Sequence, residues 1–139
     1  MHRRSQYRAA VRAALVAEPV FAGFTVLSAW SQNIDKDTLP VLGVATPSET
    51  KDVDTLGSAT VDTQLVVVAK VSGGEDLEDA LDDLSEPIEL AVIGVLDDEE
   101  RQCQLRMTDT VLDGAGEKRV GTITMTFSVV CWPAEPLTI

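Results

Sequence analysis

The sequence predicts a single α+β (α/β) domain, in which a mixed or antiparallel sheet of about five strands carries two helices packed on one face. Three observations lead to this prediction. A chain of 139 residues has room for one core and not for two independent ones. Two segments place apolar residues at helical spacing on one side only. The last predicted strand alternates apolar and hydroxyl side chains, as expected for a sheet with one buried face.

The first helix is predicted over residues 6–17, where apolar residues recur at the spacing of one buried stripe. Pro19 ends this helix, because proline disfavours α geometry in the residue before it. Ser5 is placed to cap the start. Arg8 and Arg12, four residues apart, are predicted side by side on the outer face.

Two strands, residues 24–30 and 39–46, are predicted to follow, and then a long polar segment, residues 47–59. Its turn formers and charges predict a loop that is mobile in a lone subunit, and loops of this length in compact domains are usually functional or disordered. The sequence therefore indicates partner contacts through the charged residues of this loop, Glu49, Lys51, Asp52 and Asp54.

The third strand, residues 60–71, is predicted to be central because apolar residues lie on both of its faces. An acidic helix begins near Glu75 and has one apolar stripe. Pro87 removes a helical hydrogen bond, so we expect a kink or restart near Ser85. Residues 71–100 hold twelve acidic residues and no lysine or arginine. The predicted role of that charge is a solvated helix face, and loose binding of Mg²⁺ or Ca²⁺ is left open.

A hairpin of residues 102–112 and 118–132 closes the predicted sheet around an Asp-Gly step. The hydroxyl face of its second strand is predicted to meet water, a lumen or another subunit through Thr122, Thr124 and Thr126. Trp30 and Trp132 stand at predicted strand ends, where an indole can cap the core or anchor a partner. Residues 133–139, with two prolines, are predicted to be a loose tail.

The two cysteines, Cys103 and Cys131, are predicted to be free thiols. A turn at Gly114 would set Cys103 opposite Thr126, which places the two thiol residues roughly 15 Å apart along the strands. That separation is too large for a disulfide.

The residues offer little for catalysis. The single histidine, His2, lies in an end that is expected to fray, so a nucleophile has no placed imidazole base. The cysteines form no C-x-x-C pair, and neither glycine-rich phosphate motif occurs. We therefore expect a protein that is not an enzyme, with no catalytic residues, no cofactor and no metal.

Charge and hydropathy exclude two classes of partner. Eleven basic and 23 acidic residues give a net charge of −12, which is unfavourable for a general nucleic-acid-binding surface. No apolar run reaches the roughly 18 residues of a membrane span, so we expect no membrane partner. Four arginines fall within the first twelve residues, so one end of the chain is basic and could attract the acidic part of another copy.

Four segments, in order, resemble the segments of one protein family. Residues 8–15 (RAAVRAAL) are similar to an opening R-x-A-V-x-A-L helix, and residues 37–44 (DTLPVLGV) to a D-x-L-P-x-x-x-V strand. Residues 76–89 resemble an acidic helix, although Pro87 departs from the usual unbroken pattern, and residues 121–130 resemble a closing strand. The family that these segments resemble is the tail terminator proteins of long-tailed phages (the lambda-type minor tail proteins).

The resemblance implies a hexameric ring of identical subunits that caps the tail tube, stops tube polymerisation and provides the head–tail joining surface. The implied partners are copies of the same chain, the tail tube protein and a head-completion or connector protein, while DNA passes through the lumen without specific binding. The implied location is the head-proximal end of the virion tail, after assembly in the host cytoplasm. The basic first helix and the acidic second helix are the candidate ring patches.

Two other interpretations stay open. A head-completion or neck connector protein would act elsewhere in the same particle. A small ligand-binding or hydrolytic α/β domain would show a deep pocket with a perturbed carboxylate, whereas a flat hexamer with a central hole would exclude it.

Overall fold

The computed structural model describes residues 2–27, 39–53, 57–114 and 119–133. These ranges contain two α-helices, one short 3₁₀ turn at Pro19–Phe21 and five strands. The helices and strands are α1 Arg3–Ala17, β1 Thr25–Leu27, β2 Val41–Val53, β3 Ala59–Gly73, α2 Leu77–Leu96, β4 Arg101–Asp113 and β5 Arg119–Cys131.

The five strands form one mixed sheet in the order β1-β2-β3-β5-β4. β1 runs parallel to β2, and every other neighbouring pair is antiparallel. α2 connects β3 to β4, and β5 then enters the sheet between those two strands. The predicted α+β class with a five-stranded mixed sheet is confirmed.

Both helices pack on one face of the sheet, because each has one apolar stripe to bury. The predicted stripe of α1 buries Tyr7, Val11 and Leu15. On the sheet, alternate residues of β5 point to the same side, as expected for the period of two in a strand. The shared core includes residues with no exposed surface from both layers, among them Leu15, Leu65, Leu81, Ile88, Val92, Ile123, Met125 and Phe127.

α1 begins at Arg3, three residues before the predicted start. Its cap is His2, whose Nδ1 accepts a hydrogen bond from the backbone N–H of Arg4 at 3.0 Å. The predicted cap, Ser5, lies inside the helix, and its Oγ accepts a hydrogen bond from Arg8 at 3.2 Å. An imidazole nitrogen therefore fills the role that was assigned to a hydroxyl.

α2 runs unbroken through Pro87, so the predicted restart near Ser85 is wrong. Buried side chains continue on both sides of the proline, with Leu84 before it and Ile88 after it. The Ser85 hydroxyl donates to the Asp82 carbonyl at 2.7 Å, whereas the carbonyl that loses its helical donor at the proline is that of Asp83, four residues before it. Burial of the apolar stripe outweighs the loss of one backbone hydrogen bond here.

The predicted loop at residues 47–59 is also wrong, because most of it is strand. β2 continues to Val53, and β3 starts at Ala59, so the two strands form a long hairpin. A bulge between Ala45 and Ser48 contains Pro47, which has no N–H to donate to a ladder. Residues 54–56 lie outside the described residues, and so do residues 134–139 of the predicted tail. Pro133 accepts a hydrogen bond from the Ala59 N–H at 3.1 Å.

The cysteines lie closer together than predicted. Cys103 pairs with Val129, two positions from Cys131, and not with Thr126. Such diagonal neighbours in an antiparallel pair have Cα atoms about 7–8 Å apart, which is still beyond the usual disulfide range. Both thiols are free and buried.

Of the helices in the described ranges, neither has the length and apolar character that a membrane crossing needs.

Candidate partner interface

The sheet face opposite the helices, here called the outer face, carries the predicted hydroxyl residues. Thr122, Thr124 and Thr126 of β5 are partly exposed, and they alternate with the fully buried Ile123 and Met125. The alternation places the threonines on the side away from α1 and α2. This part of the predicted interface is therefore accessible in the single chain.

Strand register sets each of these threonines between a residue of β3 and a residue of β4. The three rows across the outer face are Lys70–Thr122–Val111, Val68–Thr124–Asp109 and Val66–Thr126–Met107. Exposure rises toward β4, where the side chains of Met107 and Val111 are 54% and 55% exposed. These two apolar residues were not among the predicted interface residues, although their alternation with polar residues in 101–113 was a usable signal.

Glu49 is a structural residue as well as a predicted interface residue. Its carboxylate accepts hydrogen bonds from Thr63 at 2.9 Å and from Arg3 at 3.2 Å. Burial acts to raise the pKa of Glu49, but the hydrogen bonds from Thr63 and Arg3 outweigh it, so the pKa is lowered. Glu49 therefore fastens the start of α1 to β2.

Lys51 and Asp52 lie in β2 and are exposed. Because they are consecutive in a strand, they point to opposite faces of the sheet. Asp54 and Trp30 lie outside the described residues. The structure thus divides the predicted set of charged loop residues between two faces of one hairpin.

Arg8 is not on the outer side of α1 as predicted. It is half-buried, and its guanidinium donates to the Thr46 hydroxyl at the β2 bulge and to Ser5. Thr46 is itself buried. Arg12, one turn further along α1, is also only partly exposed. The apolar stripe of α1 that begins at Tyr7 is buried, and its burial fixes the orientation of the helix on the sheet. Arg8 lies at the border of that stripe.

Trp132 is 51% exposed and lines an open cavity of about 730 Å³ at one end of the sheet. The cavity lies between the start of α1, the start of β4 and the end of β5, with Arg3, Tyr7, Glu100 and Arg101 in its wall. An exposed indole beside charged groups is typical of protein contact surfaces.

Tyr7, Cys131 and Arg101, which line this cavity, contact one another. The Tyr7 hydroxyl donates to the Cys131 sulfur at 3.6 Å, and the Arg101 guanidinium carbon lies 5.4 Å from the Tyr7 ring centroid. Burial, followed by the bond to Cys131, holds the pKa of Tyr7 well above its usual range. Arg101 also forms an ion pair with Asp98 at 2.5 Å. Tyr7 therefore remains protonated and serves as a packing group at neutral pH.

A second groove, of about 390 Å³, runs between the end of α1 and α2. Four carboxylates surround it, and Leu90 and Pro87 contribute apolar surface. Leu90 is 65% exposed in the middle of an acidic helix face. That face was predicted to be solvated, and Leu90, which lies outside the buried stripe, was not among the predicted interface residues.

No cluster of three or more histidine, cysteine, aspartate or glutamate side chains within the described ranges is arranged to hold a metal ion.

Comparison with known proteins adds no identity: no protein-family model and no curated protein sequence matches the chain.

Proposed function

We propose that the protein is a phage tail terminator, a ring subunit that caps the tail tube and stops its polymerisation. The observation that carries this proposal is the one-sided sheet. Both helices cover one face, whereas the outer face presents three central threonines and the exposed Met107 and Val111. A face of this composition, together with the resemblance of four ordered segments, supports a protein that works through contacts with other subunits.

The outer face suits a passage for DNA. Hydroxyl groups at its centre can hydrogen-bond to water without attracting phosphate strongly. Asp109 on the row of Thr124 adds negative charge, Lys70 on the row of Thr122 adds a single positive charge, and the whole chain carries −12. Tight binding of DNA needs an array of cations that release counterions, so hydroxyl groups with one lysine and one aspartate let a duplex slide.

Ring formation requires two different patches that meet when one copy is rotated onto the next. Exposed ion pairs contribute only about 0–1 kcal/mol each, so charge alone does not hold such a ring together. The exposed apolar residues of the outer face and the acidic groove supply surface that can be buried, while charge sets register and partner choice.

The test mixes purified protein with polymerising tail tube subunits and measures tube length by negative-stain microscopy. We expect shorter tubes with a ring-shaped cap at one end. The double variant Met107→Asp/Val111→Asp should lose this effect while the chain remains folded, because both residues are exposed. Val16→Asp is the matched control, since Val16 is equally exposed but lies on α1.

Tubes that grow to unchanged length without a bound cap would remove the terminator function. If the protein instead binds only to tubes that are already capped, or to the head connector, the neck-connector interpretation takes its place. Normal capping by the Met107→Asp/Val111→Asp variant would remove the outer face from the mechanism.

A further inference from the structure

We infer that β4 of one copy pairs edge to edge with β2 of the next copy, so that the sheet continues from subunit to subunit. This inference rests on the ring proposed above and identifies the strands that join its subunits. It follows from the backbone geometry of the two outermost long strands.

β4 is the edge of the described sheet on one side. It spans Arg101–Asp113, far longer than a typical strand of about 5–6 residues. From Arg106 onward every residue of β4 is exposed, including Met107, Val111 and Leu112. A long, exposed edge with apolar side chains is a template for pairing with another strand.

The direction of the backbone groups on β4 follows from one hydrogen bond. The Cys103 N–H donates to the Asp97 carboxylate at 3.1 Å, so it points away from β5. In an antiparallel ladder this direction alternates from residue to residue. Cys103 lies opposite Val129. Every second residue of β5 from there (Phe127, Met125, Ile123 and Gly121) lies opposite Leu105, Thr108, Thr110 and Leu112 of β4, in that order.

These four residues therefore direct their backbone N–H and C=O groups outward, past the reach of Asp97. The carboxylate of Asp97 occupies the beginning of the edge, so a strand from another copy can pair only beyond it, along the exposed half of β4.

β2 offers the second edge. β1 pairs only with Val41–Gly43, and no other described strand pairs with that side of β2. The direction of the backbone groups alternates in the same way along β5 and β3. It follows that the backbone groups of Thr50 bond to Asp62 of β3. The alternation leaves the backbone groups of Glu49 and Val53 directed away from β3. The outer half of β2, Ser48–Val53, is thus a second place where a strand can be added.

The two edges are complementary in direction. β2 and β4 run in opposite directions, because β2, β3, β5 and β4 are successively antiparallel. Copies related by rotation about an axis along the strands would therefore place β4 of one antiparallel to β2 of the next. Repeating this contact closes a ring and leaves neither edge open, whereas a two-fold β4–β4 contact would leave β2 unpaired.

Like charges select the register. If Glu49 to Val53 of β2 lay opposite Leu112 to Thr108 of β4, Asp52 would lie opposite Asp109 on the outer face. Directly opposed like charges are destabilising. A slide of two residues sets Thr50 opposite Asp109 and Asp52 opposite Met107. Thr50 and Asp109 each bond to their own sheet, so they form a non-hydrogen-bonded pair across the new contact, with Cα atoms about 4.5 Å apart.

The experiment mixes two single variants, Thr50→Cys and Asp109→Cys, under mild oxidation and looks for linked dimers on a non-reducing gel. We expect dimers in the mixture and none from either variant alone. The matched control replaces Asp109→Cys with Thr110→Cys, because the neighbouring residue points to the other face. The native thiols are buried, at 4% exposure for Cys103 and 8% for Cys131.

A second measurement uses Thr110→Pro, which removes an outward N–H that takes no part in pairing with β5. We expect an unchanged melting temperature at concentrations where the wild type is monomeric, and at least a tenfold loss of assembly by mass photometry. Thr110→Val keeps the N–H and should assemble normally.

Four results would overturn the pairing of β4 with β2 in this register. Dimers from Asp109→Cys alone would reveal a two-fold β4–β4 contact. Rings that form without a cross-link between Thr50→Cys and Asp109→Cys would be held by other contacts. The same conclusion would follow if the Thr110→Pro variant still formed rings. A chain that stays monomeric at all concentrations would exclude the pairing as well. Rings that do cross-link but leave tube growth unlimited would keep the strand pairing and remove only the terminator function.

Discussion

Gly121 of β5 lies directly beneath Leu81 of α2: a methyl group on Gly121 would come within 2.8 Å of the Leu81 Cδ1 atom and 3.0 Å of the Leu77 Cγ atom. Both leucines are buried and belong to the contact between α2 and the sheet. The absence of a side chain at this position allows α2 to approach the sheet closely.

Gly121→Ala should destabilise the chain by about 1–3 kcal/mol, because the added methyl group overpacks the contact between α2 and β5. Gly94→Ala is the control: nothing lies within 4 Å of the new atom, and the residue is inside α2. That variant should gain about 0.5–1 kcal/mol, since glycine is unfavourable in a helix interior. Urea unfolding measures both, and a Gly121→Ala variant as stable as the wild type would contradict the close approach.

Arg8→Glu should destabilise the monomer by about 1–3 kcal/mol, because it removes the guanidinium that bonds to the buried Thr46 hydroxyl. Arg12→Glu should change the free energy of unfolding by less than about 0.5 kcal/mol, as is usual for surface substitutions. Thermal unfolding of the two variants side by side tests this. Equal effects would mean that the two arginines share one environment.

Glu49→Gln should lose about 1 kcal/mol of stability at neutral pH, since a charged acceptor for Arg3 and Thr63 is removed. The pKa of Glu49 is lowered in the fold, so its contribution is complete above the unfolded value of 4.5 and disappears as pH falls through the folded value. The difference between wild type and variant should shrink accordingly in acid.

A double-mutant cycle with Arg3→Gln isolates the Arg3–Glu49 pair. The coupling energy should vanish at the acid end of the series. A coupling that is independent of pH would contradict the ion pair.

Both cysteines should be unreactive toward a thiol reagent in the native protein, and both should react after denaturation. Burial, with a further contribution from Asp97, raises the pKa of the Cys103 thiol to about 12, so almost no thiolate forms near neutral pH. A colorimetric thiol titration with and without denaturant measures this. No reactive thiols after denaturation would mean that the two residues are joined by a disulfide.

The class of fold and the buried stripes were predictable because they depend on local periodicity. The apolar spacing of α1 and the strict alternation of β5 follow directly from burial of one face. The outer half of β2 was not predictable in this way. Its residues 48–53 have charged and polar side chains on both faces. They form a strand only because they pair with residues 59–64 of β3, and a local sequence pattern does not contain that contact.

The register of the β4–β5 hairpin shows the same limit. The Asp-Gly step was found, but Asp113 pairs with Val120, so the centre of the hairpin lies further along the chain than the predicted turn at Gly114, among residues 115–118 that are outside the described ranges. A bulge between Leu105 and Met107 then shifts the ladder by one residue. Neither feature has a firm sequence signal, and together they bring Cys103 opposite Val129.

For the candidate interface, sequence patterns correctly placed the threonines of β5 on the face opposite the buried residues and Trp132 at a strand end, because these positions depend on strand alternation and strand ends. They misplaced Arg8 because a long side chain at the border of a helix stripe can reach either the neighbouring strand or water. Only the tertiary position of β2 decides which of these occurs.

The place of β5 between β3 and β4 has a consequence for biosynthesis. β5 is the last described strand to leave the ribosome, yet it joins β3 and β4, which are made earlier and are not neighbours in the sheet. In a nascent chain that ends before Arg119, the edges of β3 and β4 that face β5 in the finished sheet have no partner strand. Native pairing then waits for translation of a distant segment, which slows folding. An incomplete chain therefore cannot complete the described sheet, and in the proposed ring it would lack the β5 surface that the full sheet presents to other copies.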